Sequence, residues 1–259
     1  MRRMTKCIAL LTLLPWMRPA TARAQAPMET ETARFSPRGV LQAEAVFEYQ
    51  TSPDGRESAL PFAVEYSITD RLSLLAEPVP FTQISPVQGF SARGPGDLEV
   101  TLTGLLMAEA RRRPAFAVAG EVKVPTGEAP LIGSDRFDYT GYIIASKRLG
   151  RLDLHANLGY TIVGHPTGVA VNNTVDFALA SEVTLDRRWQ ALAEILGNTS
   201  AIPEHAGTES PTTPEISTGE LTGMIGLRYA LGARTVASMG VTLDTSGAVL
   251  LRPGIAMKF

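Results

Sequence analysis

Sulfur chemistry is nearly absent from this chain. Cys7 is its only cysteine, among 259 residues. A single cysteine excludes an internal disulfide and a thiolate metal cluster. Histidine is scarce as well: His155, His165 and His205 are widely separated, with no H-E-x-x-H spacing, and no G-x-S-x-G accompanies them. Gly94-Pro95-Gly96 is followed by no G-K-[ST], so it is not a phosphate loop. No apolar run approaches the roughly 18 residues that a transmembrane helix needs. These absences point away from metal, thiol and nucleotide chemistry and away from a helical membrane anchor. Neither a metal site nor a cofactor is expected.

What is present begins with the first 24 residues. Arg2, Arg3 and Lys6 form a basic start, Cys7 to Leu14 a short apolar stretch, and Ala22-Arg23-Ala24 a cleavage site. Residues 1–24 therefore read as a secretory signal peptide, with Pro15 and Pro19 opposing a stable helix. Its removal takes away the cysteine and five of the 24 basic residues, leaving 19 against 26 acids, a net charge of about −7. Such acidity argues against nucleic acid as a partner. Residues 25–39, rich in Thr, Glu and Pro, read as a loose, flexible leader.

From Val40 to the end one pattern repeats: about ten residues of apolar–polar alternation, then a turn. Residues 151–163 show it well, with Leu152, Leu154, Ala156, Leu158, Tyr160 and Ile162 on one parity and Asp153, His155, Asn157 and Thr161 on the other. Alternation places the two sets on opposite faces of a strand. About twelve such strands are expected, near 40–49, 58–68, 71–79, 97–107, 114–124, 137–148, 151–163, 173–185, 189–198, 220–231, 235–243 and 248–259. Short connections such as Thr69-Asp70 and Leu149 to Arg151 alternate with longer ones, the longest at 78–96 and 199–219. The connection after the first strand counts among the longer set, and only the last outer one, Asp244 to Gly247, is tight.

Lipid tolerates only helices and closed barrels, because every backbone polar group must be paired. An even strand number with short turns on one side and long loops on the other predicts an all-β, closed antiparallel transmembrane barrel over 40–259, with both termini periplasmic. Aromatic residues fall near the strand ends in two bands, Tyr66, Phe116, Trp189, Tyr229 and Phe259 below and Tyr49, Phe62, Tyr160 and Phe177 above. The last strand alternates Val249, Leu251, Pro253, Ile255, Met257 and Phe259 against Arg252 and Lys258. Ile255, Met257 and the closing Phe259 resemble the terminal signature that barrel-assembly machinery reads. Pro61 and Pro253 interrupt strands where a ladder donor is needed, so bulges or broken pairing are expected there.

The polar parity supplies the candidate site. Glu44, Glu48, Glu65, Arg228, Arg252 and Lys258 are expected as a lumen charge cluster at the closure seam, with Arg252 approaching Glu48 and Lys258 approaching Gln42 or Glu44. Glu99, Glu121, Lys123, Asp153, His155, Asp176, Glu182 and Glu194 are expected to face the lumen too. Such charges either neutralise one another in the wall or line a solute path. Leu75, Leu105, Leu192 and Leu196 fall on the same parity and either line an apolar path or fill space.

Four segments resemble a known family: Gly94-Pro-Gly-Asp-Leu98, Val122-Lys-Val-Pro-Thr-Gly127, Ala145-Ser-Lys-Arg-Leu-Gly150 and Leu154-His-Ala-Asn-Leu-Gly-Tyr160. They are similar to the outer-membrane transporters grouped with the meta-pathway of phenol degradation. Asp97, Pro125, Gly127, Ser146 and Lys147 carry the pattern, over about 40–259. The resemblance implies a bacterial outer-membrane barrel taking up small hydrophobic or aromatic compounds. The expectation is a monomeric, non-enzymatic channel whose partners are outer-membrane lipid, the assembly machinery and a small solute. The alternatives are a structural or adhesion-type barrel with a plugged lumen, and a barrel hydrolase built around His155.

Overall fold

The computed structural model describes residues 28–127, 132–166, 170–203 and 219–259. The expected signal peptide and His205 lie outside the described residues. Among the described residues there are strands and no helix. In the first third of the chain the strands are β1 (Leu41–Val46), β2 (Glu48–Ser52), β3 (Gly55–Ala59), β4 (Phe62–Thr69), β5 (Leu72–Pro78), β6 (Thr82–Pro86) and β7 (Ala92–Gly94). There follow β8 (Leu98–Met107), β9 (Ala115–Val124), β10 (Asp138–Leu149), β11 (Leu152–Ile162) and β12 (Thr174–Thr184). The last are β13 (Trp189–Asn198), β14 (Leu221–Ala230), β15 (Thr235–Asp244) and β16 (Val249–Lys258).

Twelve of these close into an antiparallel barrel in the order β1-β4-β5-β8-β9-β10-β11-β12-β13-β14-β15-β16, with β16 returning to β1. The remaining four continue the ladder outward as β16-β2-β3-β6-β7. Their register shows that they are extensions rather than new strands: Gly254 faces Val46 and Leu251 faces Tyr49, so β1 and β2 are one strand with a gap at Phe47. The connection after the first strand is therefore a tight hairpin turn at Pro53-Asp54, not the longer loop its composition suggested. Gly55 makes that turn possible, at φ +149°, since a Cβ there would lie 2.5 Å from the Ser85 carbonyl oxygen. Likewise Pro78 to Gly96 is not an open loop but carries the β6–β7 hairpin.

Proline sets the gaps. Pro61 separates β3 from β4, and Pro253 lies opposite Phe47. Single bonds stitch the wall there: Phe47 N–H donates to the Pro253 carbonyl at 2.9 Å, Val46 N–H to Pro61 at 3.0 Å and Leu60 N–H to Phe81 at 2.9 Å. The gap sits six residues above the periplasmic end of β1, about 20 Å along the strand.

Burial is inverted relative to a water-soluble protein. Ile143, Leu158, Leu179, Ile195, Ile225 and Met239 are exposed on the outer face, while Thr101, Ser146, His155, Glu194 and Arg228 are buried inside. An apolar exterior and a polar interior suit a barrel whose outside solvent is lipid. Tyr66, Trp189 and Phe259 mark the lower aromatic level and Tyr160 and Phe177 the upper. Phe137, just before β10, and Tyr139, on it, stack at 6.4 Å and join the upper level; the sequence left the facing of this strand ambiguous.

Residues 28–39 correct the expectation of a flexible leader. They run through the lumen from mid-height to the periplasmic rim and pack on its wall, with Thr30, Ala33 and Ser36 buried. Their polar composition carries no periodicity, and their partners are distant in sequence, Glu194 for Met28 and Ser146 for Ala33.

Candidate functional site: the occluded lumen

The inner segment is held at three levels. At mid-height Glu194 on β13 accepts the backbone N–H groups of Met28 at 2.7 Å, Glu29 at 3.2 Å and Thr30 at 2.9 Å, and the Thr30 hydroxyl at 2.8 Å. A carboxylate taking four donors is a strong anchor, because charge-assisted bonds are shorter and stronger than neutral ones. Met28 rests on a notch formed by the facing pair Gly226 and Gly240, where a Cβ on Gly240 would meet Met28 Sδ at 2.6 Å. Beside it, Arg252 is paired with Glu48 at 2.8 Å and with Glu29 of the segment.

One turn of chain lower, Asn157 brackets the Glu31 backbone, accepting its N–H at 2.7 Å and donating to its carbonyl at 3.0 Å. Ala33 N–H donates to Ser146 Oγ at 2.9 Å, and Ser146 is 2.8 Å from His155 Nδ1. Ala33 also fills a small apolar contact with Ala115, Ala117, Ala119 and Ile144, flanked by Leu105.

At the periplasmic rim the segment is clasped by charge. Arg34 donates to Asp153 at 2.6 Å and to Glu109; Arg148 Nε donates to the second Asp153 oxygen at 2.9 Å; Lys147 is 2.9 Å from Glu109. Burial opposes ionisation of Glu109, but hydrogen bonds from Lys147, Arg34 and the Arg148 backbone hold its carboxyl down at about 2. Glu31, in the lumen, moves the other way: burial and the nearby Glu65 charge push it up to about 7.

Above the segment lies a cavity of about 630 Å³. Glu44, Glu65, Glu77, Glu99, Glu121 and Asp176 contribute acid to its wall, and Leu75, Leu196 and Tyr142 contribute apolar surface. Glu77 and Glu99 are ladder partners on β5 and β8. Glu121 is tempered by Thr101 at 3.1 Å and Tyr142 at 3.5 Å, and Asp176 by Thr161 at 2.7 Å. A second space, about 60 Å³, lies behind the proline gap between Val46, Pro61, Phe62 and Arg252.

The other sequence candidates fall as follows. Glu65 accepts Gln42 at 2.7 Å, and Lys258 faces Gln42 across the β1–β16 ladder within the field of Glu65. Arg228 does not join the seam. It pairs with Glu182 at 3.2 Å across β13, away from the seam, because β14 is two strands from the closing strand β16. Lys123 sits at the outer end between Asp138 at 2.8 Å and Asp97 at 3.6 Å, and Asp97 also accepts Gly127 N–H at 2.7 Å. That knot explains why the family-like Gly-Pro-Gly-Asp and Val-Pro-Thr-Gly segments go together. Leu75 and Leu196 line the cavity, whereas Leu105 and Leu192 pack around the inner segment and the glycine notch. Ile255, Met257 and Phe259 face outward, and Phe259 N–H donates to the Leu41 carbonyl at 2.8 Å, closing the barrel. Glu29, Glu31, Arg34, Glu77 and Glu109 were not singled out by sequence. The one signal was Arg34, a cation shortly after Glu29 and Glu31.

A closed twelve-stranded antiparallel barrel with a polar lumen and an apolar exterior is a β-barrel of the outer-membrane type. The chain belongs to the family described as "Putative MetA-pathway of phenol degradation", whose model matches residues 24–201. Its fold is similar to that of a COG4313 outer membrane channel from Pseudomonas putida F1, at 14% identity and TM-score 0.66, covering 91% of this chain and 100% of that one. It is also similar to the NanC porin (8% identity, TM-score 0.56, 84% and 100% covered) and the KdgM porin (10%, 0.55, 83% and 99%). No curated protein matches the chain.

Proposed function

We propose that this barrel is a passive outer-membrane channel for small apolar or aromatic solutes, kept narrow by its own N-terminal segment. The observation that carries the reading is the cavity of about 630 Å³ that mixes aliphatic and aromatic surface with carboxylates directly above residues 28–34. Ligand sites combine apolar walls with a few polar groups in this way. The family description favours aromatic compounds as cargo. The segment below is tied mostly by ion pairs and hydrogen bonds, which can exchange with water, rather than by a fused apolar core.

The proline gap favours a side route for apolar cargo. A wall held by single bonds near mid-membrane, with a small space behind it, lets a solute dissolved in lipid reach the lumen without crossing the polar surface layer. Uptake of the apolar fluorophore N-phenyl-1-naphthylamine by intact cells expressing the protein tests the proposal. Entry faster than in vector-only cells is expected. Equal rates would overturn it in favour of a structural barrel with a permanently filled lumen.

A further inference from the structure

The periplasmic rim differs in charge from the rest of the molecule. Every short turn carries exposed arginine: Arg71 between β4 and β5, Arg111, Arg112 and Arg113 between β8 and β9, Arg151 between β10 and β11, Arg187 and Arg188 between β12 and β13, and Arg234 between β14 and β15. The exposed acids on this rim are Asp70 and Asp186, and both accept backbone N–H groups. Asp70 accepts Arg38 N–H at 2.8 Å, and Asp186 accepts Arg188 N–H at 2.7 Å and Trp189 N–H at 2.9 Å. Those backbone bonds hold the Asp186 carboxyl below its ordinary range. The described outer rim is mixed instead, with Asp54, Arg56, Arg93 and Asp135 exposed together.

Three neighbouring turns share a second feature. Each places an exposed leucine just before its arginine: Leu149 with Arg151, Leu185 with Arg187 and Arg188, Leu231 with Arg234. These turns lie side by side, since β10 to β15 are consecutive in the barrel. Arg188 marks the height of its own turn. Its Nη1 donates to the Tyr229 hydroxyl at 2.8 Å, its guanidinium carbon lies 6.0 Å from that ring's centroid, and Tyr229 packs on outward-facing Trp189 at 4.6 Å. The cation is thus held at the aromatic girdle, where lipid headgroups lie, and not beneath the barrel mouth.

We infer that the arc Arg151, Arg187, Arg188 and Arg234 docks the phosphates of anionic phospholipids in the periplasmic leaflet. Guanidinium matches phosphate geometry in a two-pronged fashion, and each exposed leucine gives the acyl chain an apolar anchor next to the cation. The consequence is a barrel seated at fixed depth, with an annulus of selected lipid along β10 to β15.

Native mass spectrometry of the full-length protein, offered equal phosphatidylglycerol and phosphatidylcholine, tests this. Wild type is expected to retain phosphatidylglycerol by about tenfold over phosphatidylcholine, and the preference is expected to fall at high salt. The combined Arg151→Gln, Arg187→Gln, Arg188→Gln and Arg234→Gln variant is expected to retain the two equally. Lysine at the same four positions should restore most of the preference, which keeps the test informative if the neutral variant folds poorly. Arg56→Gln with Arg93→Gln on the outer rim should leave it unchanged. Inorganic phosphate should displace no more lipid than chloride at equal ionic strength; stronger displacement would make this a free-phosphate site and overturn the lipid assignment. Wild-type indifference to headgroup charge, or a preference that survives the four-fold neutral variant, would overturn it as well. The readout is independent of transport, so it stands or falls separately from the proposed channel activity.

Discussion

Arg34 Nη2 lies 2.6 Å from Asp153 Oδ1, joining the segment inside the lumen to the wall 119 residues away. The same carboxylate holds Arg148, the same guanidinium holds Glu109, and Glu109 holds Lys147, so five charges form one clasp. Without Arg34, Asp153 keeps Arg148 and Glu109 keeps Lys147, so the wall stays paired while the segment loses its charged bonds, a change of about 1.5–3 kcal/mol. Arg34→Ala is therefore expected to free residues 28–36 while the barrel stays closed. Limited proteolysis should cut the segment faster, with heat-modifiable migration of the barrel retained.

Glu194 is the upper anchor. Glu194→Gln keeps the shape but replaces one acceptor oxygen by a donor that faces backbone N–H groups. Hydrogen bonds to a charged group contribute about 1.5–3 kcal/mol each. Amide exchange at Met28, Glu29 and Thr30 should accelerate at least tenfold, with little change at Arg38, which is held separately by Asp70.

Gly240 is a steric test of the same contact. A Cβ there meets Met28 Sδ at 2.6 Å, the far end of a flexible side chain. Gly240→Ala should tilt Met28 out of its notch and loosen the top of the segment, to a smaller extent than Glu194→Gln. Conductance noise in single-channel records should rise.

Acidity acts on the segment with two signs. Glu31 is pushed up to about 7, so its ionisation opposes docking; docking strengthens as pH falls from above 7 towards 4.5. Glu109 is held at about 2, so the stability it gives the clasp is complete above about 4.5 and is lost as pH falls from there towards 2. Protease resistance of residues 28–36 should therefore peak near pH 5. Glu31→Gln should flatten the neutral side of that profile, and Glu109→Gln the acid side.

Glu77 and Glu99 face each other across β5 and β8 on the cavity wall. Like charges in direct opposition destabilise a ladder. Glu99→Gln should raise the barrel's unfolding temperature by a few degrees and lower the cation-to-anion permeability ratio, measured by reversal potential in a salt gradient.

Alternation made the wall legible. Parity alone put Glu182, Glu194 and Arg252 inside and Leu158 and Ile225 outside, because lipid and lumen select opposite residues on adjacent positions of one strand. Pro61 and Pro253 marked the gaps, since a missing N–H is written in the sequence. The outward course of β2, β3, β6 and β7 was hidden: polar strands beyond the membrane look like loops once neither face meets lipid. The inner segment was hidden for a different reason. Glu29, Glu31 and Arg34 acquire their partners only after closure brings Arg252, Asn157 and Asp153 around a common axis, and no local pattern reports that. The same long-range closure separated Arg228 from the seam, a matter of strand order rather than charge.

The central claim is that residues 28–36 limit passage through an otherwise open barrel. Single-channel conductance in planar bilayers, comparing wild type with an Arg34→Ala, Glu194→Gln double variant, tests it most directly. Small, brief openings in wild type and a several-fold larger, sustained conductance in the double variant are predicted. Equal conductance in the two proteins, with the segment shown by proteolysis to be released, would contradict the account.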